Sequence, residues 1–294
     1  MREWYRQTAH ITSPNVDGIE MKEASYADDL AMLALNAADA EAMLDILGNI
    51  YERYGLCIHP GKTEYMVFSS TFDDHTISFH ENTIPRVHSF KYLGVTISHD
   101  LNDSDEISMR IGMGKAAIRN CSYLHSPRVC SDMKVRLAKA LILSRVLYGA
   151  STLTLKAGDL KKYDSLGRSI WRAMLNIRWQ DHVSNERLYE MIGGRWCFSS
   201  SDIIRRKTMW LGHAARQGGI ARAVIGGLPA GTRRGPGRPR LRWVDNISSW
   251  SGLSSAELVE ASIQHVEIKP KINVHHQYNL RSRGLRRVLS YEET

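Results

Sequence analysis

Residues 25–33 read SYADDLAML, placing two adjacent aspartates, Asp28 and Asp29, inside an apolar run. Neighbouring carboxylates repel, and burying charge is costly unless something compensates it. Two local structures accommodate the pair. In one, Asp28 caps a helix running through DLAMLALNAADAEAML, since Asp is a good N-cap and Ala, Leu and Met favour helices. In the other, EASYA is a strand leading into a tight turn and LAMLAL returns beside it. Both carboxylates then sit at the bend, where a divalent ion can cancel their repulsion. The next residues bear on the choice. Asn36 and Asp39 form an N-x-x-D pattern that resembles a capping box and marks a helix start of its own. A start at Asn36 makes better sense if the run before it is a strand. Beyond it, Met43, Leu44, Leu47, Ile50, Tyr51 and Tyr54 recur at three- and four-residue steps, and Gly55 is a natural stop.

Downstream, EYMVFSS, HTISFH, NTIPRV and FKYLGVTIS read as short antiparallel strands separated by turn-like residues. After about residue 104 the pattern becomes helical. DEISMRIGMGKAAIRNCSYL, SDMKVRLAKALILSRVLYGAS (with Ser131 as N-cap) and AGDLKKYDSLGRSIWRAMLNI carry apolar residues near helical spacing. Shorter helices are expected at SNERLYEMI, SDIIRRKTMWLGHAARQ and SSAELVEASI. The stretch GGLPAGTRRGPGRPRLRW reads as a loop or extended arm.

The chain has 294 residues and typical globular composition, with 43% hydrophobic and 24% charged residues. Its net charge is +8, but the excess is local: ten Lys and Arg between Ser201 and Trp243 face one acid, Asp202. Concentrated positive charge suits a polyanion. The four cysteines form no C-x-x-C pair, which argues against structural zinc and for a reducing compartment. The N-terminus lacks the apolar core of a secretory signal. The most apolar stretch, LAKALILSRVLYGA, carries Lys139 and Arg145 and falls short of the roughly 20 residues a membrane span needs. An intracellular protein, nuclear or cytoplasmic and without a membrane partner, is expected. HPGKT invites comparison with a P-loop, but five residues separate Gly55 from Gly61 where the motif needs about four, and a strand-like run follows.

YADD matches the Y-x-D-D signature of reverse transcriptases, and an ordered series of blocks follows it. GLCIHPGKTEYMVF resembles the next block of that family, with its Gly-Leu and Lys-Thr. VHSFKYLGVTIS resembles its primer grip. VLYGAS, LNIRWQDHVSNERL, WLGHAAR and RRGPGRPRLRWVDNI resemble the C-terminal half of the reverse transcriptases of non-LTR (LINE-type) retrotransposons. The resemblance runs from about Gly18 to about Ser262.

It implies an α+β fold. Residues 1–103 would form a partial polymerase palm carrying the YADD and primer-grip hairpins. A helical thumb would cover 104–192, a basic helical and arm region 193–262, and a divergent tail 263–294. Asp28 and Asp29 would be the catalytic, metal-binding pair, with Mg²⁺ as cofactor. Tyr26 would pack near the primer terminus or incoming nucleotide, and Lys62 would lie near phosphate unless it is an ordinary solvated turn residue. Phe90, Tyr92, Leu93 and Gly94 would form the primer grip; the residues alone suit a buried strand as well. The partners would be an RNA template, a DNA primer or target DNA, and a separate N-terminal half.

The basic residues Arg205, Arg206, Lys207, Arg233, Arg234, Arg238, Arg240 and Arg242 are expected to bind nucleic acid, with the last five, in their Gly/Pro context, contacting phosphates or else belonging to a solvated linker. GPGRPR also resembles the AT-hook core R-G-R-P, with Pro236 in place of the first Arg. The chain departs from the family where a further palm Asp and the fingers should precede YADD, since Asp17 lies too close in sequence for that part. The expected function is therefore a fragment of an RNA-directed DNA polymerase that is inactive alone. The alternatives are a non-catalytic nucleic-acid-binding protein derived from the retroelement, or a remnant that does not fold stably.

Overall fold

The computed structural model of the protein describes residues 1–16, 18–68, 76–226 and 241–268. It is mixed α+β, with its strands before residue 100 and helices dominating after it. The order begins α1 (Arg2–Gln7), β1 (Asn15–Val16), β2 (Ile19–Glu20), β3 (Glu23–Tyr26), β4 (Asp29–Met32) and α2 (Ala37–Arg53). It continues with β5 (Ser78–Phe79), β6 (Asn82–Thr83), β7 (Ser89–Tyr92) and β8 (Val95–Ser98). Among the described residues the strands pair only with their sequence neighbours, as four antiparallel hairpins. The expected antiparallel set is thus a series of separate ribbons. EYMVF contributes a single bridge, between Tyr65 and Arg86 in parallel sense, and Phe68 is exposed.

The helix at Asn36 forms as its sequence predicts. The Asn36 side chain accepts from the Asp39 amide at 2.8 Å, removing one orphan donor of the first turn. Gly55, at φ +71°, lets the chain leave α2 in a left-handed conformation. The inner face of α2 buries Met43, Leu47 and Ile50 against Trp4 and Ile11, and Leu44 against Ile77, Phe79 and Ile84. Trp4 is fully buried, and its indole N–H donates to the Met43 carbonyl at 3.1 Å, docking α1 on α2. The Lys22 ammonium, also buried, bonds the Thr8 and Ile11 carbonyls at 2.6 and 2.7 Å just beyond α1. This short N-terminal helix was not expected from its sequence.

The helical part comprises α3 (Ser104–Asn120), α4 (Ser122–His125), α5 (Ser131–Leu137), a π-helical turn (Ala138–Leu143), α6 (Ser144–Val146) and α7 (Ala157–Met174). After these come α8 (Asn185–Ile192), α9 (Ser200–Gln217), α10 (Gly219–Gly226), α11 (Trp243–Ser251) and α12 (Ser255–Ile263). The sequence suggested neither α10 nor α11. Ser131 is the first residue of α5, with Cys130 as its N-cap. A single hydrophobic core joins α3 through α12, with Tyr163, Leu166, Ile170 and Trp171 of α7 at its centre. Each such aliphatic or aromatic side chain contributes on the order of 1.5–3 kcal/mol by leaving water.

Two glycines set the spacing. A Cβ on Gly167 would lie 1.7 Å from the Phe198 carbonyl oxygen, so α7 and the 197–198 backbone meet only because no side chain stands between them. A Cβ on Gly149 would lie 2.6 Å from Cγ2 of Val95, where the helical part crosses β8. Among the described residues, no helix is long and apolar enough to cross a membrane.

Candidate functional site

The YADD stretch is a hairpin, not a helix start. β3 and β4 pair in the register Glu23↔Met32, Ala24↔Ala31, Ser25↔Leu30 and Tyr26↔Asp29, leaving Ala27 and Asp28 as a two-residue turn. Ala27 has φ +54°, a conformation that is strained for a residue with a Cβ. The turn exposes Tyr26, Asp28 and Asp29 to solvent, and Tyr26 is 68% accessible. Two adjacent carboxylates are tolerated here because water solvates both.

A second two-residue turn faces the first. β7 and β8 close at Tyr92↔Val95, with Leu93 at φ +46° and Gly94 at φ +78° between them. Both central residues have positive φ, as a type I′ hairpin turn requires, and Gly is the residue that meets this without strain. Tyr26, Ala27, Asp28, Asp29, Leu93, Gly94 and Tyr148 line one open depression. The Tyr92 hydroxyl donates to the Ala24 carbonyl at 2.9 Å, tying the hairpins together across 68 residues of sequence. Partial burial, then the nearby charge of Asp29 and of Glu23, pushes the Tyr92 phenol above its ordinary pKa. The hydroxyl therefore stays a proton donor at neutral pH.

The helical part holds the second turn from behind. The Tyr148 hydroxyl donates to the Leu93 carbonyl at 2.6 Å, and the Arg110 guanidinium donates to the Gly94 carbonyl. Arg110 also stacks on the Tyr148 ring, 5.0 Å from its centroid. Its Nε donates to Glu106 Oε1 at 2.6 Å, while Glu106 Oε2 accepts from the Thr96 amide at 3.1 Å. Glu106 and Arg110 are both buried, so their charges survive only as a fully bonded pair. The sequence alone assigns no role to Glu106, Arg110 or Tyr148. The i,i+4 spacing of Glu106 and Arg110, on an apolar helix face, was the available signal.

Other expected site residues lie elsewhere. Phe90 packs beside Tyr92, with ring centroids 6.5 Å apart, and does not line the depression. Lys62 ends an exposed 3₁₀ turn (Pro60–Lys62), also away from it. Arg205 and Arg206 are exposed on α9. Arg242, half-buried, is paired with Asp245 at 2.8 Å in a capping box that starts α11. Lys207 requires a correction. It is fully buried, with its ammonium 2.6 Å from the Leu153 carbonyl and 2.8 Å from Asn246 Oδ1, and it cannot reach a phosphate in this fold. Arg233, Arg234, Arg238 and Arg240 lie outside the described residues, as does Asp17.

For a divalent cation the donor set is partial. Asp28 and Asp29 offer two carboxylates, and among the described residues no group of three or more His, Cys, Asp or Glu could hold a metal ion. Among the described residues, the carboxylates at the depression do not complete a two-metal centre.

No family model matches the chain, and no solved structure matches it. A curated protein of Caenorhabditis elegans, described as transposon-derived, is 24% identical over 244 residues, covering 79% of this chain and 86% of its own length.

Proposed function

We propose that the chain derives from a transposable element and corresponds to the distal palm and thumb of a non-LTR retrotransposon reverse transcriptase. One observation carries this reading. The tips of the YADD and FKYLG hairpins, distant in sequence, line one depression together, bringing the carboxylate pair and the Leu93–Gly94 turn to one place. A nucleotidyl-transfer centre needs metal-ligating carboxylates opposite a surface that holds a primer end. The similarity to a transposon-derived protein supports the mobile-element origin.

In the full-length enzyme the reaction would be RNA-templated, Mg²⁺-dependent DNA synthesis. Asp28 and Asp29 would supply two of the metal donors, and Tyr26 and the Leu93–Gly94 turn would meet the primer end. The chain alone is expected to be inactive, because the donor set is partial. Primer extension on an RNA template, with the chain and its Asp28→Asn variant side by side, tests this. No extension by either is expected, and synthesis that depends on Asp28 would overturn the inactivity.

A second reading, a retroelement-derived nucleic-acid-binding protein without catalysis, is favoured by the exposed Arg205 and Arg206 on α9. The two readings predict different contacts for a primer terminus.

A further inference from the structure

We infer that Glu106, Arg110 and Tyr148 are positioning residues that lock the Leu93–Gly94 turn onto the helical part and, through Tyr92, fix the turn carrying Asp28 and Asp29. The inference deepens the proposed polymerase reading, but the coupling is a property of the fold and is testable without any activity.

The connection is continuous in hydrogen bonds. Three backbone groups of the β7–β8 hairpin are taken by side chains from outside it: the Leu93 carbonyl by Tyr148, the Gly94 carbonyl by Arg110, and the Thr96 amide by Glu106. None of these is a strand-to-strand bond, so the hairpin's own ladder leaves them open to whatever docks there. Each partner is itself constrained. Glu106 and Arg110 bind each other in a buried position on α3, and Tyr148 lies under the Arg110 guanidinium. Gly149 then lets the chain pass over Val95 with no side chain between them. On the far side, Tyr92 leaves the same hairpin to bond the Ala24 carbonyl of β3, the strand that feeds the aspartate turn. Among the described residues β3 and β4 pair only with each other, and the packing of β4 on the α2 core comes from Leu30 and Met32 rather than from the exposed tip. A two-stranded ribbon alone is marginally stable, and its tip position depends on what it docks against.

The consequence is directional. Loosening Tyr148 should loosen both turns, whereas loosening Tyr92 should loosen only the aspartate hairpin. Amide hydrogen exchange on the full chain distinguishes these, comparing wild type with Tyr148→Phe, Tyr92→Phe, the double variant and Arg110→Lys. Removing one hydroxyl takes away a single hydrogen bond and should leave the protein folded. Tyr148→Phe is expected to raise exchange about fivefold in both β7–β8 and β3–β4, without changing the α7 amides. Tyr92→Phe should raise it in β3–β4 only. At β3–β4 the double variant should exceed Tyr92→Phe by little, because both act along one path. Arg110→Lys keeps the charge and loses the fork, and should match Tyr148→Phe in direction. Unchanged β3–β4 exchange in Tyr148→Phe, or fully additive effects in the double variant, would overturn the coupling. Neither result bears on whether a primer end binds, so the polymerase reading stands or falls separately.

Discussion

The Lys207 ammonium donates to Asn246 Oδ1 at 2.8 Å, and the same Asn246 side chain bonds both the amide and the carbonyl of Leu155, each at 2.8 Å. α9, α11 and the segment before α7 are thereby joined at one buried point. The Trp243 ring lies 4.8 Å from the ammonium, and its indole N–H bonds the Ser151 carbonyl at 2.8 Å. This arrangement, from the residues that end the basic region, anchors that region's C-terminal side in the helical core.

Burial pushes the Lys207 pKa down to about 7, with Asp103 opposing the shift. An unfolded lysine titrates near 10.4, so between about 7 and about 10.4 the unfolded chain holds a proton the folded one has released. Stability from this group is therefore fully present above the unfolded value and is lost as pH falls to about 7. The difference in unfolding free energy between wild type and Lys207→Met should shift in favour of wild type as pH rises from 7 to 10, and stay flat below 7. Denaturant titrations at several pH values measure it.

Gly167→Ala should be among the most damaging single-methyl changes in the chain. The added Cβ meets a backbone carbonyl rather than a flexible side chain. A cost of about 3 kcal/mol or more is expected from overpacking of this kind. Gly114→Ala meets Val146 Cγ2 at 2.6 Å, a side-chain atom that can move, and should cost less. Chemical denaturation of the two variants checks the order.

Glu106→Ala leaves the Arg110 charge buried with one partner gone, and about 3–5 kcal/mol is expected. The Glu106→Ala, Arg110→Met double variant should cost clearly less than the sum of the singles, since it removes both charges. Purely additive losses would mean that the pair is not coupled.

Salt dependence separates the basic residues by location. Arg205 and Arg206 are exposed, so replacing both with Ala should lower the salt slope of nucleic-acid binding by up to about 2. Lys207→Met should leave the slope unchanged although Lys207 adjoins them in sequence, because its side chain is buried. Neutralising Arg233, Arg234, Arg238 and Arg240 should lower the slope further.

Much of this arrangement was legible in the residues. Asn36 announced α2, and a helix start there left the preceding run free to be a hairpin. The Lys207 position is legible too, from helical periodicity rather than from its basic neighbours in sequence. Ile203, Ile204, Leu211 and Ala214 sit three, four and seven residues away on the same helix face, which is the buried one. Strand length was not legible. EYMVF has strand-favouring residues, yet a strand exists only where another accepts its hydrogen bonds, and that partner is a tertiary matter. The role of Tyr148 is not legible in VLYGAS, since nothing local reveals that its hydroxyl meets a carbonyl 55 residues away.

The most direct measurement is a photo-crosslink from the primer 3′ end. An RNA–DNA template–primer carrying a thiolated terminal nucleotide is bound to the chain, irradiated and mapped by mass spectrometry. A primer end seated between the two hairpin turns predicts crosslinks at residues 26–29 and 92–94. Crosslinks confined to residues 201–243, with none at either turn, would contradict it.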